Sequence, residues 1–221
     1  MKKILFPLIA ITLTAISLTA TPKAIVFDFG GVLTKNQNRE SVITFIRQSF
    51  HFSVEEFEKA NQEKRLAVKQ GKTDQEFWIF YAKNKAIKLP DNWTTSFKSV
   101  MKEAIGVNSA MYSLVAKLKE QQITVGLLSN IDERLSNIVR ECDLYDPFDP
   151  CLLSCEIGVE KPDIKAYKLL LNTLNLPANE IVFIDDRPEN IEAAKTIGLD
   201  AILFESESQL RNELSTRGSL K

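Results

Sequence analysis

The chain has 221 residues, 44% of them hydrophobic and 26% charged, with 8 Gly and 8 Pro. That is an ordinary globular composition, and it excludes collagen-like, low-complexity and disordered chains. Lys plus Arg number 28 against 29 Asp plus Glu, so the basic excess that phosphate-backbone contacts demand of a nucleic-acid binder is missing. One His and three Cys exclude a His-rich metal centre, a four-ligand zinc site and a disulfide scaffold. The chemistry is left to carboxylates, Lys and Ser.

Residues 1–21 read as a signal peptide or a membrane anchor. Lys2 and Lys3 precede an uncharged stretch that runs to Lys23, with small residues at Ala15, Ser17 and Ala20. That pattern fits an exported protein, periplasmic or secreted, cut after Ala20. Its roughly 17 apolar residues also just span a bilayer, which leaves an anchored form open. The membrane then concerns the leader alone.

From Ala24 the pattern predicts a buried strand, AIVFDF, that ends in an acid and opens into Gly30-Gly31. Residues 36–106 follow with helical periods and no strand candidate. Within them Ser53 with Glu56, and Thr73 with Glu76, have capping-box spacing before apolar runs. After Gly106 helix and strand alternate. ITVGLLSN, CLLS, IVFIDD and AILF are strand candidates, separated by helices over ERLSNIVREC, PDIKAYKLLLNTL and IEAAKTIGL. The expected fold is α/β: a doubly wound, Rossmann-like parallel sheet core over 22–35 and 107–221, with an all-helical insert over 36–106 after the first strand. Cys151 and Cys155, four apart, read as small buried residues rather than a bridge.

In an open parallel sheet, ligands bind beyond the carboxyl ends of the strands. The polar residues stand there. The first strand ends at Asp28, the second at Ser129-Asn130 and the fourth at Asp185-Asp186, while Lys161 follows the third. Asp28 and Asp186, facing each other across adjacent strand ends, repel unless a cation lies between them. Mg²⁺ suits such a site, because it takes about six oxygens from one or two carboxylates, waters and phosphate. Gly30 can lend its carbonyl, Ser129 can hold phosphoryl oxygens, and Lys161 can neutralise the charge that grows on them. This constellation describes phosphoryl transfer with Asp28 as nucleophile.

FDFGGVLT, LLSN, VEKPDIKAY and VFIDDRPENIEAAKTIGLDAILF resemble the four motifs of the haloacid-dehalogenase superfamily, in order and over nearly all the chain after the leader. The resemblance is to the branch of the epoxide-hydrolase N-terminal phosphatases and the sugar-phosphate phosphatases. It implies that Asp28 is the nucleophile, that Ser129 and Asn130 bind the phosphoryl group, and that Lys161 steadies it. It further implies Mg²⁺ held by Asp28, the Gly30 carbonyl and Asp186, with Asp185 beside them, and the helical insert as a cap domain. The expected substrate is a small phosphorylated metabolite, a sugar phosphate among the candidates. One position departs from the pattern: the second acid of the family's first motif, the general acid and base, is Gly30 here. Loss of such a group costs about 10²–10⁴ in rate, so substrates with good leaving groups, such as anomeric sugar phosphates, are favoured.

The same residues carry blander readings. Asp185-Asp186 can cap a helix, Ser129-Asn130 can be a turn, and Lys161 a surface Lys. Asn190 can bond a metal-bound water or face solvent. His51 reads as packing or surface, and Phe77, Trp78 and Phe80 as core of the insert rather than a pocket lining. Asp28-Phe29-Gly30 spells a kinase DFG, but no glycine-rich loop or HRD loop accompanies it. A metal-independent 2-haloacid dehalogenase is a rival reading that the doubled acid at 185–186 disfavours. A catalytically weak or non-enzymatic binding protein on the same fold is the other.

Overall fold

The computed structural model describes residues 21–35 and 38–220. The leader expected over 1–21 lies outside these but for Thr21, and no helix among the described residues is long and apolar enough to cross a membrane. Five strands form one sheet: β1 (Ala24–Phe27), β2 (Thr124–Ser129), β3 (Cys151–Leu153), β4 (Ile181–Asp185) and β5 (Asp200–Leu203), in the order β3-β2-β1-β4-β5. Every ladder is parallel. The strand order reverses at β1, whose neighbours are β2 and β4. That is the switch point where an α/β sheet opens a crevice at its carboxyl edge.

The sheet is buried on both faces, which explains why its strands are continuous apolar runs. Side chains alternate between two cores with the period of two that a strand imposes. Ile25, Phe27, Val182 and Ile184 join one cluster, whereas Ala24, Val26, Ile181 and Phe183 join the other. The first face is covered by α5 (Ser109–Glu120), α6 (Glu133–Glu141) and α10 (Glu207–Thr216) through Leu114, Val139 and Leu210. The second is covered by α8 (Ile164–Leu174) and α9 (Pro188–Thr196) through Tyr167, Leu170, Ile191 and Ala194.

Between β1 and α5 run α1 (Arg39–Phe50), α2 (Val54–Lys69), α3 (Asp74–Asn84) and α4 (Trp93–Ile105). Both capping boxes form: Ser53 and Glu56 close the start of α2, and Thr73 and Glu76 that of α3. Each satisfies two backbone N–H groups that the first helical turn leaves without partners. An aromatic core of Phe50, Trp78, Trp93 and Phe97 fills the middle of these helices and is continuous with the first face of the sheet. Phe77 and Trp78 are core, whereas Phe80 is half exposed. His51 sits in the left-handed region and ends α1. The segment's two crossings are tied together by an antiparallel bridge between Thr34 and Val107, where the Lys35 N–H donates to the Gly106 carbonyl and the Asn108 N–H to that of Leu33.

The cysteines depart from expectation. Cys155 is exposed and Cys151 half-buried; the buried thiol is Cys142. Cys155 lies in the single-turn α7 (Ser154–Ile157) just past edge strand β3.

Candidate active site

The site is a direct product of register. Phe27 of β1 pairs with Ile184 of β4, and the next residue, Asp28, donates its backbone N–H to the Ile184 carbonyl at 2.8 Å. This carries Asp28 to the same level as Asp185, with Asp186 one residue beyond. A carboxylate oxygen from each of Asp28, Asp185 and Asp186 lies within 4.8 Å of the other two.

Lys161 reaches this rim from the loop after α7. Its side chain is 1% exposed, and its Nζ donates to Asp28 Oδ1 and to Asp185 Oδ2, each at 2.7 Å. The Asn130 side chain fixes that loop: its Nδ2 donates to the Lys161 carbonyl and its Oδ1 accepts from the Lys161 N–H, both at 2.8 Å. Asn130 thus uses its carbonyl oxygen and one of its two amide N–H donors to fix the Lys161 backbone, a role that the sequence reading did not assign to it. Ser129, at the end of β2, is buried on the same rim. Ser154 braces the strand-to-helix loop behind it, with its Oγ accepting from the Ile131 N–H at 3.0 Å and donating to the Ile131 carbonyl.

Asp185 is 0% exposed and saturated. Besides Lys161, the Asn190 amide donates to both of its oxygens at 2.9 and 3.0 Å, and the Arg187 N–H donates to Oδ1 at 2.9 Å. Its work in this structure is to seat Lys161, while Asp28 and the exposed Asp186 keep oxygens toward the crevice. Asn190 is thus a buried partner of Asp185 rather than a solvent-facing residue, and its own carbonyl accepts from the Tyr167 hydroxyl at 2.9 Å.

Burial pushes the Asp28 carboxyl up to about 6, with the Asp185 charge adding to the rise and the Lys161 ammonium opposing it. Asp186 is raised too, by burial and then by Asp185. Charge repulsion among the acids is built in.

A hard divalent cation fits this donor set. Three carboxylates face one ammonium, which leaves two negative charges, all on oxygen. The backbone leaves room for Asp186 to serve: Gly31 turns with φ +75°, and a Cβ there would lie 2.0 Å from Asp186 Oδ2. Gly30 differs. A Cβ at that position meets nothing within 4 Å, so the place of the missing second acid is open space beside Asp28.

Acids at the carboxyl edge of a parallel α/β sheet, a buried Lys bridging two of them and a polar strand end beside them form a site suited to hydrolytic chemistry. The chain belongs to the haloacid dehalogenase-like hydrolase family, whose sequence profile matches residues 22–198. It is 29% identical over 215 residues to bifunctional epoxide hydrolase 2 of Sus scrofa, which covers 87% of this chain and 38% of that protein. The chain thus spans well under half the length of that relative. It is 27% identical to the sesquiterpene phosphatase astK of Aspergillus oryzae, over 81% of this chain and 88% of that one. Among solved structures, a haloacid-dehalogenase family enzyme of Bacteroides thetaiotaomicron, in complex with magnesium and inorganic phosphate, shares the fold with a TM-score of 0.50 and 24% identity, over 86% of this chain and 98% of that one. A hydrolase of Streptococcus pneumoniae does so at 0.53 and 20%, over 88% and 99%. The protein is a phosphatase-like hydrolase of this family.

Proposed function

We propose that this protein is a Mg²⁺-dependent phosphatase of small phosphate monoesters, working through an aspartyl-phosphate on Asp28. The observation that carries the reading is the convergence of Asp28, Asp185 and Asp186 on one rim with Lys161 bridging the first two. The phosphatases among its relatives, and the magnesium and phosphate held by the Bacteroides enzyme, support it.

Asp28 attacks phosphorus in line with the leaving oxygen. The P–O bond to the leaving group breaks and an acyl phosphate forms. Water then attacks phosphorus, which releases inorganic phosphate and restores the carboxylate. Lys161 holds a fixed positive charge where phosphoryl charge develops, and the Ser129 hydroxyl donates to a phosphoryl oxygen. Asn130 holds the Lys161 backbone in place. Asp28, Asp186 and the Gly30 carbonyl would hold Mg²⁺, which would supply the positive charge that a phosphate dianion needs to approach a carboxylate.

No carboxyl at position 30 protonates the leaving oxygen, so the favoured substrates release a weakly basic one, anomeric sugar phosphates included. Phosphate release from an aryl phosphate tests the reading. Wild type with Mg²⁺ turns over, whereas chelated wild type and Asp28→Asn do not. Equal release by wild type and Asp28→Asn sinks it. Across a series of esters kcat/KM falls as the leaving-group pKa rises, and a flat series removes the leaving-group preference.

A further inference from the structure

Lys161 has a third partner that the ion pairs leave out of account. Its Nζ lies over the ring of Phe183, 5.5 Å from the centroid. The placement follows from β geometry. Phe183 and Asp185 are two apart on β4 and so point to the same face, as do Val26 and Asp28 on the paired β1. An ammonium that reaches the two acids at the rim must therefore pass above the ring one step below them. Phe183 is fully buried and stands perpendicular to Tyr167, with centroids 5.4 Å apart. Tyr167 is itself pinned by its hydroxyl on the Asn190 carbonyl, so the ring's orientation is fixed from α8 and α9.

Each partner responds differently to the reaction proposed above, on which this inference rests. When an Asp28 oxygen becomes an acyl-phosphate ester, its carboxyl loses the negative charge that faces Lys161. The Asp185 contact persists, but it pulls from one side. The negative face of an aromatic ring does not change with the charge state of the site. We propose that Phe183 is a positioning residue for phosphoryl transfer, its ring a third, uncharged seat that holds the Lys161 ammonium in place while Asp28 is esterified. Lys161 then keeps its charge aimed at phosphorus through both halves of the reaction.

The test weakens the ring's electrostatics without changing its shape. Phenylalanine with zero, one, two or three ring fluorines is placed at position 183, and kcat, KM and thermal midpoint are measured in the full protein with Mg²⁺. The logarithm of kcat is expected to fall steadily with each fluorine, by about 5- to 30-fold across the series, with KM and the midpoint nearly constant. A packing residue gives a flat series, and that result overturns the inference. A second readout needs neither metal nor turnover. In lysine-labelled, metal-free protein the ε-methylene protons of Lys161 carry an upfield ring-current shift that Phe183→Leu abolishes. No such shift in wild type overturns the inference as well. Should wild type release no phosphate from any ester, the proposed function falls. The ammonium signal of Lys161 then decides the matter for Phe183: a line position and proton exchange rate unmoved by fluorination count against it.

Discussion

Alanine at Gly31 and alanine at Gly30, one residue apart, are expected to behave as opposites. At Gly31 the backbone sits at φ +75°, where an L side chain costs about 1–2 kcal/mol. For a chain of this size that lowers the thermal midpoint by about 2–8 °C. The second effect is local. The new Cβ would stand 2.0 Å from Asp186 Oδ2 and 2.6 Å from its Cγ, so the carboxylate must retreat by about 1 Å or rotate away. Asp186 is exposed and free to do so, which means that the clash is relieved at the expense of the cation seat rather than of the fold. Mg²⁺ affinity should fall on the order of 10- to 100-fold, the scale seen when a ligand's support is disturbed. Gly30→Ala meets nothing within 4 Å and should leave the midpoint and the affinity near wild type. The assay is calorimetric Mg²⁺ titration of the two variants, with melting curves taken in chelator. Wild-type affinity in Gly31→Ala, or an equal loss in both variants, would falsify the placement of Asp186 at the cation.

Lys161→Met leaves Asp28 and Asp185 buried against each other without their shared cation. Breaking a buried pair costs about 3–5 kcal/mol, so melting in chelator should drop by about 6–20 °C and recover in part when a divalent cation is added; an unchanged melting point contradicts the bridging role. Gly30→Asp puts a carboxyl into open space beside the nucleophile. Turnover of esters with poor leaving groups should rise tenfold or more, though less than the ~10²–10⁴ of an evolved acid, while good leaving groups gain little. Glu141, which ends α6, faces the start of α3, and burial followed by the Asp74 charge pushes its carboxyl up to about 7, against the pull of the Gln75 and Asp74 backbone N–H groups. Its charged form is disfavoured when folded, so stability is full below the unfolded value near 4.5 and is lost as pH rises through about 7. Glu141→Gln should flatten that decline and gain about 1–2 kcal/mol at pH 8 once solvent screening is allowed for, as read from denaturant midpoints across pH.

The strands were legible because both faces of the sheet are covered: AIVF, VGLL and IVFI are runs without a polar side chain, and the first and last of these lead straight into acids. The insert was legible through its capping boxes, which report a helix start without tertiary context. Asp28, Lys161, Asp185 and Asp186 could be gathered on one rim because strand ends share an edge. What lay beyond reach was how the polar groups divide the work. The family resemblance assigns Asn130 to phosphate, and nothing in the letters shows that its side chain also holds the Lys161 backbone 31 residues away. Asn190 was ambiguous because a polar residue one turn into a helix has no preferred face until α9 is docked against Asp185. Tyr167 and Phe183 are core residues, and nothing in the letters places an ammonium over the ring. α10 followed the last strand candidate without being anticipated.

The rung between Thr34 and Val107 brings the two ends of a seventy-residue excursion to neighbouring positions on the scaffold. The excursion leaves and rejoins the scaffold at one place, while its aromatic core remains joined to the first face of the sheet. A graft of these helices therefore has two boundaries to respect at once, the rung itself and the aromatic seam along the sheet.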